Sequence, residues 1–293
     1  MSTARSLPTF EEGRSTKPLT SEIEKRLAVF MVETPIRRFE ELVLSEQTAR
    51  QIESLLTKIK HHSLLYDTFG LREIDPSGGR TAINFYGPPG TGKSMAAEAL
   101  AHELGMGLIR ANYAELESKF VGETAKNIRA AFERARQTGA LLFFDEADSI
   151  LGRRLTNVRQ STDHAVNVSR SVMLMELDRF DGVTVFATNL ASNYDTAFVR
   201  RILGHVEMKL PPAELRLRLW QAHLPERLPL ADDVDLMRLS QESDRLAGGD
   251  ILNAVINAAS SAVQRDGPAC RVNMADFQLA IAAIRAAKEA VLA

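Results

Sequence analysis

Eight consecutive residues of this chain read Gly87-Pro88-Pro89-Gly90-Thr91-Gly92-Lys93-Ser94. They match the phosphate-binding pattern G-x4-G-K-S/T, with an apolar run at residues 82–86 before them and an alanine-rich helical pattern after them. A loop without bulky side chains lets successive backbone N–H groups face phosphate oxygens at the positive end of the next helix. We therefore predict that this loop binds a nucleoside triphosphate, with Lys93 at the outer phosphates and Ser94 at a magnesium ion.

Four further strand-like runs follow this loop, at residues 108–110, 140–144, 183–187 and 206–210. Strands that alternate with helices predict a mostly parallel α/β sheet covered on both faces, with ligands at the carboxyl ends of the strands. After Pro211 and Pro212 the apolar spacing becomes wholly helical. We therefore predict an N-terminal arm at residues 1–40, an α/β nucleotide-binding domain at 41–212 and an α-helical subdomain at 213–293.

The composition narrows the functional class. The 36 basic and 38 acidic residues give a formal net charge of -2, so no overall basic field indicates a nucleic-acid partner. The single Cys270 excludes an intrachain disulfide and fits a reducing compartment. No apolar run reaches the ~20 residues of a membrane span, and the N-terminal segment lacks the apolar core of a signal peptide. We expect a cytoplasmic protein that binds neither membranes nor, directly, nucleic acid.

The apolar run that precedes Asp145 and Glu146 ends abruptly in these two carboxylates. At the carboxyl end of a strand, Asp145 can join Ser94 in the magnesium shell, while Glu146 can orient and polarise an attacking water. The alternative interpretation is a strand that merely ends on a solvated acidic turn. The complete phosphate loop in the same chain favours the catalytic interpretation.

Taken together, the phosphate loop and the acidic strand end resemble those of AAA+ ATPases. The pore loop of the classical clade of these proteins is similar to residues 118–123, which read Ser118-Lys119-Phe120-Val121-Gly122-Glu123. The resemblance covers most of the chain and implies a P-loop NTPase fold with a helical lid, ATP and Mg2+ as cofactors, and a homo-oligomer, expected to be a hexamer. It also implies that four residues line a central pore and contact a client polypeptide: Lys119, Phe120, Val121 and Gly122.

Two more positions follow the order of the family's motifs. Asn189, after the apolar run 183–187, is similar to the family's polar strand-end sensor, which implies an amide close to the γ-phosphate and the water. Gly249 and Asp250 resemble the start of a lid helix that borders the nucleotide. Asp250 also suits a helix N-terminus on electrostatic grounds alone, so both interpretations of this residue stay open.

Residues 195–201 resemble the segment that supplies arginine fingers to the nucleotide site of a neighbouring subunit. A guanidinium at the γ-phosphate neutralises charge that develops during phosphoryl transfer. The resemblance therefore implies catalytic roles for Arg200 and Arg201 and a requirement for an oligomer. It does not decide which arginine is the main finger, and two surface arginines at a helix end are the alternative.

The resemblance implies an ATP-driven protein remodeller or unfoldase that threads a client through its pore. The alternative is an ATP-gated assembly switch or complex-disassembly ATPase that translocates no chain. Residues 163–168 and 195–201 resemble the pachytene-checkpoint remodellers, whose clients are HORMA-domain proteins. Two features differ from the eukaryotic members of that group: the arm of about 40 residues is shorter, and Arg200 stands where they usually carry an acidic residue. A compact bacterial relative that acts in antiviral defence would explain the short arm. The other candidate clients are protein complexes of the kind that katanin-like and vacuolar-sorting members disassemble.

Two kinds of residue receive a structural interpretation. His61, His62 and His205 lack the spacing of a metal site, so we interpret them as packed or exposed histidines. Met173 and Met175 fall in an apolar helical run, and we expect both to face the core.

Overall fold

The computed structural model describes residues 19–75, 81–112, 116, 123–152, 161–189 and 194–292. Its centre is a five-stranded parallel sheet with the strand order β2-β3-β4-β1-β5. The strands are β1 Ala82–Tyr86, β2 Leu108–Asn112, β3 Leu141–Asp145, β4 Thr184–Thr188 and β5 Ile202–Glu207. The α/β fold class predicted from the alternating strand and helix patterns is confirmed.

The three central strands are buried along nearly their whole length, as parallel strands covered on both faces require. The edge strand β5 is different, because most of its residues are only half-buried and it contains Gly204 and His205. Gly204 and His205 interrupt the apolar pattern by which a strand is predicted from sequence. The predicted bounds of the fifth strand, residues 206–210, are therefore wrong, since the strand begins at Ile202 and ends at Glu207.

Helices cover both faces of the sheet. They are α1 Leu19–Val29, α2 Glu46–Lys60, α3 Lys93–Glu103, α4 Glu123–Thr138, α5 Asp148–Leu151, α6 Ser161–Arg179 and α7 Thr196–Val199. One face of the sheet contributes Phe144 and Phe186 to a core that also contains Phe132 of α4. The other face contributes Phe85 to a core that contains Leu100 of α3. Successive strand residues point to opposite faces, so both faces are apolar.

Two methionines of α6 lie on opposite sides of this helix. Met173 is fully buried, as predicted, whereas Met175 is 44% exposed, so the prediction that it faces the core is wrong. Residues two positions apart lie on nearly opposite sides of an α-helix, and one apolar face cannot contain both.

The segment between α1 and α2 runs along the sheet edge formed by β2. Glu33 and Leu108 exchange two backbone hydrogen bonds of 2.8 and 2.9 Å. Arg110 of β2 donates Nε to the Glu33 carboxylate at 2.8 Å and also pairs with Glu98 of α3. This contact covers part of an edge that would otherwise present unpaired backbone groups.

The C-terminal helices form a core of their own and contact the phosphate loop, which follows the carboxyl end of β1. They are α8 Ala213–His223, α9 Leu236–Glu242, α10 Gly248–Asp266 and α11 Met274–Leu292. Trp220 of α8 is fully buried, packs edge-on against Phe277, and donates Nε1–H to Ser243 Oγ at 3.0 Å. These helices are the predicted lid; the exact division of the chain into an arm and two domains stays a prediction. Among the described helices, none combines the length and the apolar content needed to cross a membrane.

Candidate nucleotide-binding site

The phosphate loop joins β1 to α3. Gly87 has a φ of 141°, and a Cβ there would lie 2.3 Å from the Met208 carbonyl oxygen, so only glycine fits. Gly92 precedes the first turn of α3 and has no side chain to cap it. The N–H groups of that turn are therefore not capped by a side chain and can bind an anion at the positive end of the helix dipole.

Lys93 is 8% exposed, and its Nζ donates to the carbonyl oxygens of Gly87 and Pro88 at 2.8 Å each. Burial lowers the pKa of Lys93, and the charges of Asp145 and Asp148 counteract that shift. In the described part of the chain, no carboxylate forms an ion pair with it. A desolvated ammonium without a direct counter-ion is well placed to attract an anionic phosphate group.

The two residues predicted to hold magnesium lie together. Ser94 Oγ donates to Asp145 Oδ2 at 2.9 Å and so links the start of α3 to the end of β3. Magnesium is usually bound by one or two carboxylates together with waters and substrate phosphates, without an all-protein cage. The oxygen atoms of Ser94 and Asp145 fit that chemistry. Within the described residues, no group of three or more acidic, histidine or cysteine side chains is arranged to hold a metal ion.

Glu146 follows β3 in an unusual backbone conformation, with a φ of 52°. Such left-handed values are uncommon for residues other than glycine, and strain of this kind concentrates at functional sites. The Glu146 N–H donates to Asp145 Oδ1 at 3.0 Å, and its exposed side chain lines the cavity beside the phosphate loop. Asp145 lines the same cavity, so both acidic residues face the space beside the phosphate loop.

Asn189 follows β4 and lines the same cavity. Its N–H donates to Asp148 Oδ1 at 2.9 Å, and the Thr188 hydroxyl donates to the same oxygen. Asp148 therefore fixes the end of β4 against the first turn of α5. Sequence analysis did not single out Asp148, although its place three residues after Asp145 in the acidic run was an available signal.

The lid contacts the phosphate loop at the N-terminus of α10. The Gly249 N–H donates to the Gly90 carbonyl oxygen at 3.0 Å. Asp250 has a different environment, because its Oδ2 accepts from the Ala247 N–H at 2.7 Å and pairs with Lys288. Asp250 thus caps the helix, as the electrostatic interpretation predicted. Its role at the nucleotide stays a prediction.

Arg200 and Arg201 follow α7 and do not line this cavity. The Arg201 guanidinium forms a bidentate pair with Asp178, with Nε to Oδ1 at 2.7 Å and Nη2 to Oδ2 at 2.8 Å. Its Nη1 donates to the Ala197 carbonyl oxygen at 3.0 Å, and the Asp178 carboxylate raises the pKa of Arg201. Arg200 is exposed. Both arginines therefore lie away from the nucleotide cavity of their own subunit.

The predicted pore residues lie outside the described part of the chain; they are Lys119, Phe120, Val121 and Gly122. The described chain next to them contains Leu116 and resumes at Glu123, the first residue of α4. Asn127 Nδ2 donates to the Leu116 carbonyl oxygen at 3.3 Å.

A cavity of about 630 Å³ brings most of the predicted nucleotide residues together. Its phosphate side contains residues 89–95, Asp145, Glu146 and Asn189. The lining also includes apolar residues of the segment before α2 and of the lid, among them Leu42, Leu44, Leu215, Leu219 and Leu252. A cavity that combines phosphate-binding groups with apolar side chains suits a nucleotide with a flat base.

Residues 83–210 match the family described as "ATPase family associated with various cellular activities (AAA)". This chain contains an AAA ATPase domain. The AAA domain and its flanking residues are similar to the proteasome-activating nucleotidase of Methanopyrus kandleri, with 32% identity over 279 residues. That match covers 92% of this chain and 62% of the relative.

Two other relatives place the AAA domain in the classical clade. The katanin p60 ATPase-containing subunit A1 of Strongylocentrotus purpuratus is 35% identical over 191 residues, which cover 61% of this chain and 36% of the relative. The cell division cycle protein 48 homolog of Archaeoglobus fulgidus is 33% identical over 229 residues, which cover 75% and 30%. This chain thus spans about three fifths or less of the length of these relatives.

Proposed function

We propose that this chain hydrolyses ATP and uses the reaction to remodel a client protein, as a homo-oligomer that we expect to be a hexameric ring. The observation that carries the proposal is the convergence of five residues on one cavity between the phosphate loop and the lid: Lys93, Ser94, Asp145, Glu146 and Asn189. The similarity to a proteasome-activating nucleotidase and to a katanin ATPase subunit supports a protein client.

Each group at the cavity has a distinct task in the proposed reaction. The loop N–H groups and the Lys93 ammonium bind the phosphates, while Ser94 and Asp145 hold Mg2+. When bound, the ion neutralises charge on the β- and γ-phosphates. The Glu146 carboxylate orients the attacking water and accepts its proton, and the Asn189 amide positions that water against the γ-phosphate.

Arg200 and Arg201 are assigned to the nucleotide of the neighbouring subunit, because they do not line the cavity of their own. A guanidinium supplied in this way accelerates related reactions by ~10³ to 10⁵. Hydrolysis would then require assembly, and each turnover would be coupled to the geometry of the contact between subunits.

The proposed client is an extended protein segment that Phe120, together with Lys119, Val121 and Gly122, contacts in a central pore. A HORMA-domain regulator is the client class favoured by the resemblance of residues 195–201, in a setting of antiviral defence. The competing function is an ATP-gated assembly switch or complex-disassembly ATPase. In that case no chain is translocated and Phe120 has no role in client binding.

Affinity capture with Glu146→Gln in the presence of ATP tests this function. The amide keeps the shape of the carboxylate but cannot accept a proton, so ATP and client stay bound. Captured proteins are identified by mass spectrometry, with Glu146→Gln in ADP and the Glu146→Gln/Phe120→Ala double variant as controls.

The outcomes separate the candidate functions. A protein captured in ATP, absent in ADP and lost with Phe120→Ala supports threading, and a HORMA domain in it supports the specific client. Capture that persists in the Glu146→Gln/Phe120→Ala double variant supports the ATP-gated assembly switch or complex-disassembly ATPase. A Glu146→Gln variant that still hydrolyses ATP contradicts the role assigned to Glu146.

A further inference from the structure

A row of polar side chains leads from the nucleotide site into the sheet. The Thr188 hydroxyl donates to Asp148 Oδ1, the oxygen that also accepts from the Asn189 N–H. The Tyr194 hydroxyl is hydrogen-bonded to Thr188 as well. Since the Thr188 proton is directed at Asp148, the Thr188 oxygen accepts from Tyr194. Asn84 Nδ2 in turn donates to the Tyr194 hydroxyl oxygen at 3.2 Å.

The other end of this row lies next to Arg200 and Arg201, which we call the arginine pair. Asn84 Nδ2 is 3.3 Å from His205 Nδ1. Burial lowers the pKa of His205, so at neutral pH the ring is uncharged and Nδ1 can accept from Asn84. The backbone carbonyl of Val199 faces the same ring. Val199 is the last residue of α7 and directly precedes Arg200.

The backbone around Tyr194 is connected to both α5 and α7. Tyr194 forms an antiparallel bridge with Gly152, just after α5, and the next residue, Asp195, donates its N–H to the Leu151 carbonyl oxygen at 2.9 Å. The Asp195 side chain then caps α7. Tyr194 is thus tied to α5 on one side and to the start of α7 on the other.

This polar row is costly for stability. Asn84 is fully buried in the central strand β1, where covered parallel strands are otherwise apolar. Asn84 Oδ1 and His205 Nε2 are buried and have no hydrogen-bond partner among the described residues. A buried, partly satisfied polar network stabilises a fold less than an apolar core of the same shape. Its cost therefore points to a role other than stability.

We propose that Tyr194 is a positioning residue for ATP hydrolysis. Its hydroxyl holds the Thr188–Asn189 strand end in a fixed position relative to α7, so the Asn189 amide and the arginine pair are oriented by one hydrogen-bonded unit. Tyr194 does not itself line the nucleotide cavity. The inference rests on the ATP hydrolysis proposed above.

The test compares Tyr194→Phe with Tyr86→Phe. Tyr194→Phe removes one hydroxyl and keeps the ring that packs against Tyr86 and His205, with centroids 6.4 and 5.8 Å away. The Tyr86 hydroxyl makes no hydrogen bond to a described residue, so Tyr86→Phe is the same chemical change without the proposed link. We expect kcat to fall roughly tenfold in Tyr194→Phe, with KM for ATP within about twofold, because small misplacements around reacting atoms cost up to ~10²-fold.

A second readout does not depend on turnover. Hydrogen exchange of the purified, nucleotide-free chain should be faster in Tyr194→Phe at residue 189 and at residues 196–201, and unchanged in Tyr86→Phe. This readout distinguishes a failure of the proposed ATPase function from a failure of the inference. Exchange and kcat in Tyr194→Phe that both stay within about twofold of the unmodified chain would overturn the inference, as would equal losses in Tyr86→Phe.

A double variant covers the case in which Tyr194→Phe also lowers the melting temperature. Thr188→Val removes the hydroxyl that accepts from Tyr194 and keeps a side chain of similar shape. If the two hydroxyls act as one unit, the double variant loses no more turnover than the more impaired single variant, measured where all three remain folded. Losses that multiply would overturn the inference.

Discussion

The Gly249 N–H donates to the Gly90 carbonyl oxygen at 3.0 Å, so the lid contacts the phosphate loop through backbone atoms. A Cβ at Gly249 would lie 3.3 Å from Gly90 Cα, which leaves no room for a side chain without a shift of the loop or the lid. The close approach of the lid to the phosphate loop therefore depends on the absence of a side chain at Gly249.

Gly249→Ala should weaken nucleotide binding by about 3- to 10-fold, or roughly 1 kcal/mol, because the loop must move from the position that the phosphates require. Titration calorimetry with ATP measures this affinity. Gly248→Ala is the comparison, for which we expect a smaller loss of affinity: its Cβ would lie 3.3 Å from a methyl group of Leu219, a flexible side chain of the cavity lining that can adjust, whereas the Cβ at Gly249 meets backbone. Both alanine substitutions are made in the Glu146→Gln variant, which is expected not to hydrolyse ATP. Equal affinities for the two alanine variants would contradict the proposed close approach.

Asp148→Ala should lower kcat by about tenfold or more while KM for ATP changes less than about threefold. The reason is that the Thr188 hydroxyl and the Asn189 N–H lose a charged acceptor, and hydrogen bonds to charged groups contribute roughly 1.5–3 kcal/mol. Asp148→Asn keeps an acceptor oxygen and should recover part of the loss. Steady-state kinetics of the two variants test this. An Asn variant as impaired as the Ala variant would show that the hydrogen bonds are not what matters.

The phosphate loop and the acidic strand end could be predicted from sequence because their chemistry depends on neighbours within a few residues. The Ser94–Asp145 contact joins residues 51 positions apart, yet the rule that ligands lie at the carboxyl ends of parallel strands placed them together. Pattern reasoning therefore suffices where one general rule of topology fixes the geometry.

The polar row through Tyr194 could not be predicted in this way. Asn84 lies 110 residues from Tyr194 and 121 from His205. Their contacts depend on the strand order, which places β1 beside β5, and on the backbone bridge between Gly152 and Tyr194. The bounds of β5 failed for a related reason, since a half-buried edge strand carries little apolar signal.

Acid should destabilise the fold, starting below about pH 6.5. Burial lowers the pKa of both His205 and His223 from the ordinary value of 6.5. As the pH falls through 6.5, the unfolded chain therefore binds protons before the folded chain does, and the free energy of unfolding decreases. Urea unfolding at pH 7.5 and 5.5 should show this loss, and His205→Gln should reduce it. His61→Gln, at an exposed position, should leave it unchanged; an equal effect of the two substitutions would contradict the assignment.

Mixed oligomers test whether Arg200 and Arg201 act on the neighbouring nucleotide. Arg201→Ala leaves the subunit's own catalytic residues intact, and Glu146→Gln leaves its arginines intact, so mixing two inactive variants should restore part of the turnover. The Arg201–Asp178 pair does not oppose this, because the side chains are 31% and 51% exposed and such pairs contribute only ~0–1 kcal/mol.

The same mixture with Arg200→Ala shows which arginine is required, which the resemblance left open. Arg179→Ala, at an exposed arginine beside Asp178, is the matched control and should keep full turnover on its own. Phosphate release measured across mixing ratios should pass through a maximum if each site draws a guanidinium from the next subunit. A flat response at every ratio for both arginines would show that neither acts across the contact, and the requirement for an oligomer in hydrolysis would lose its physical basis.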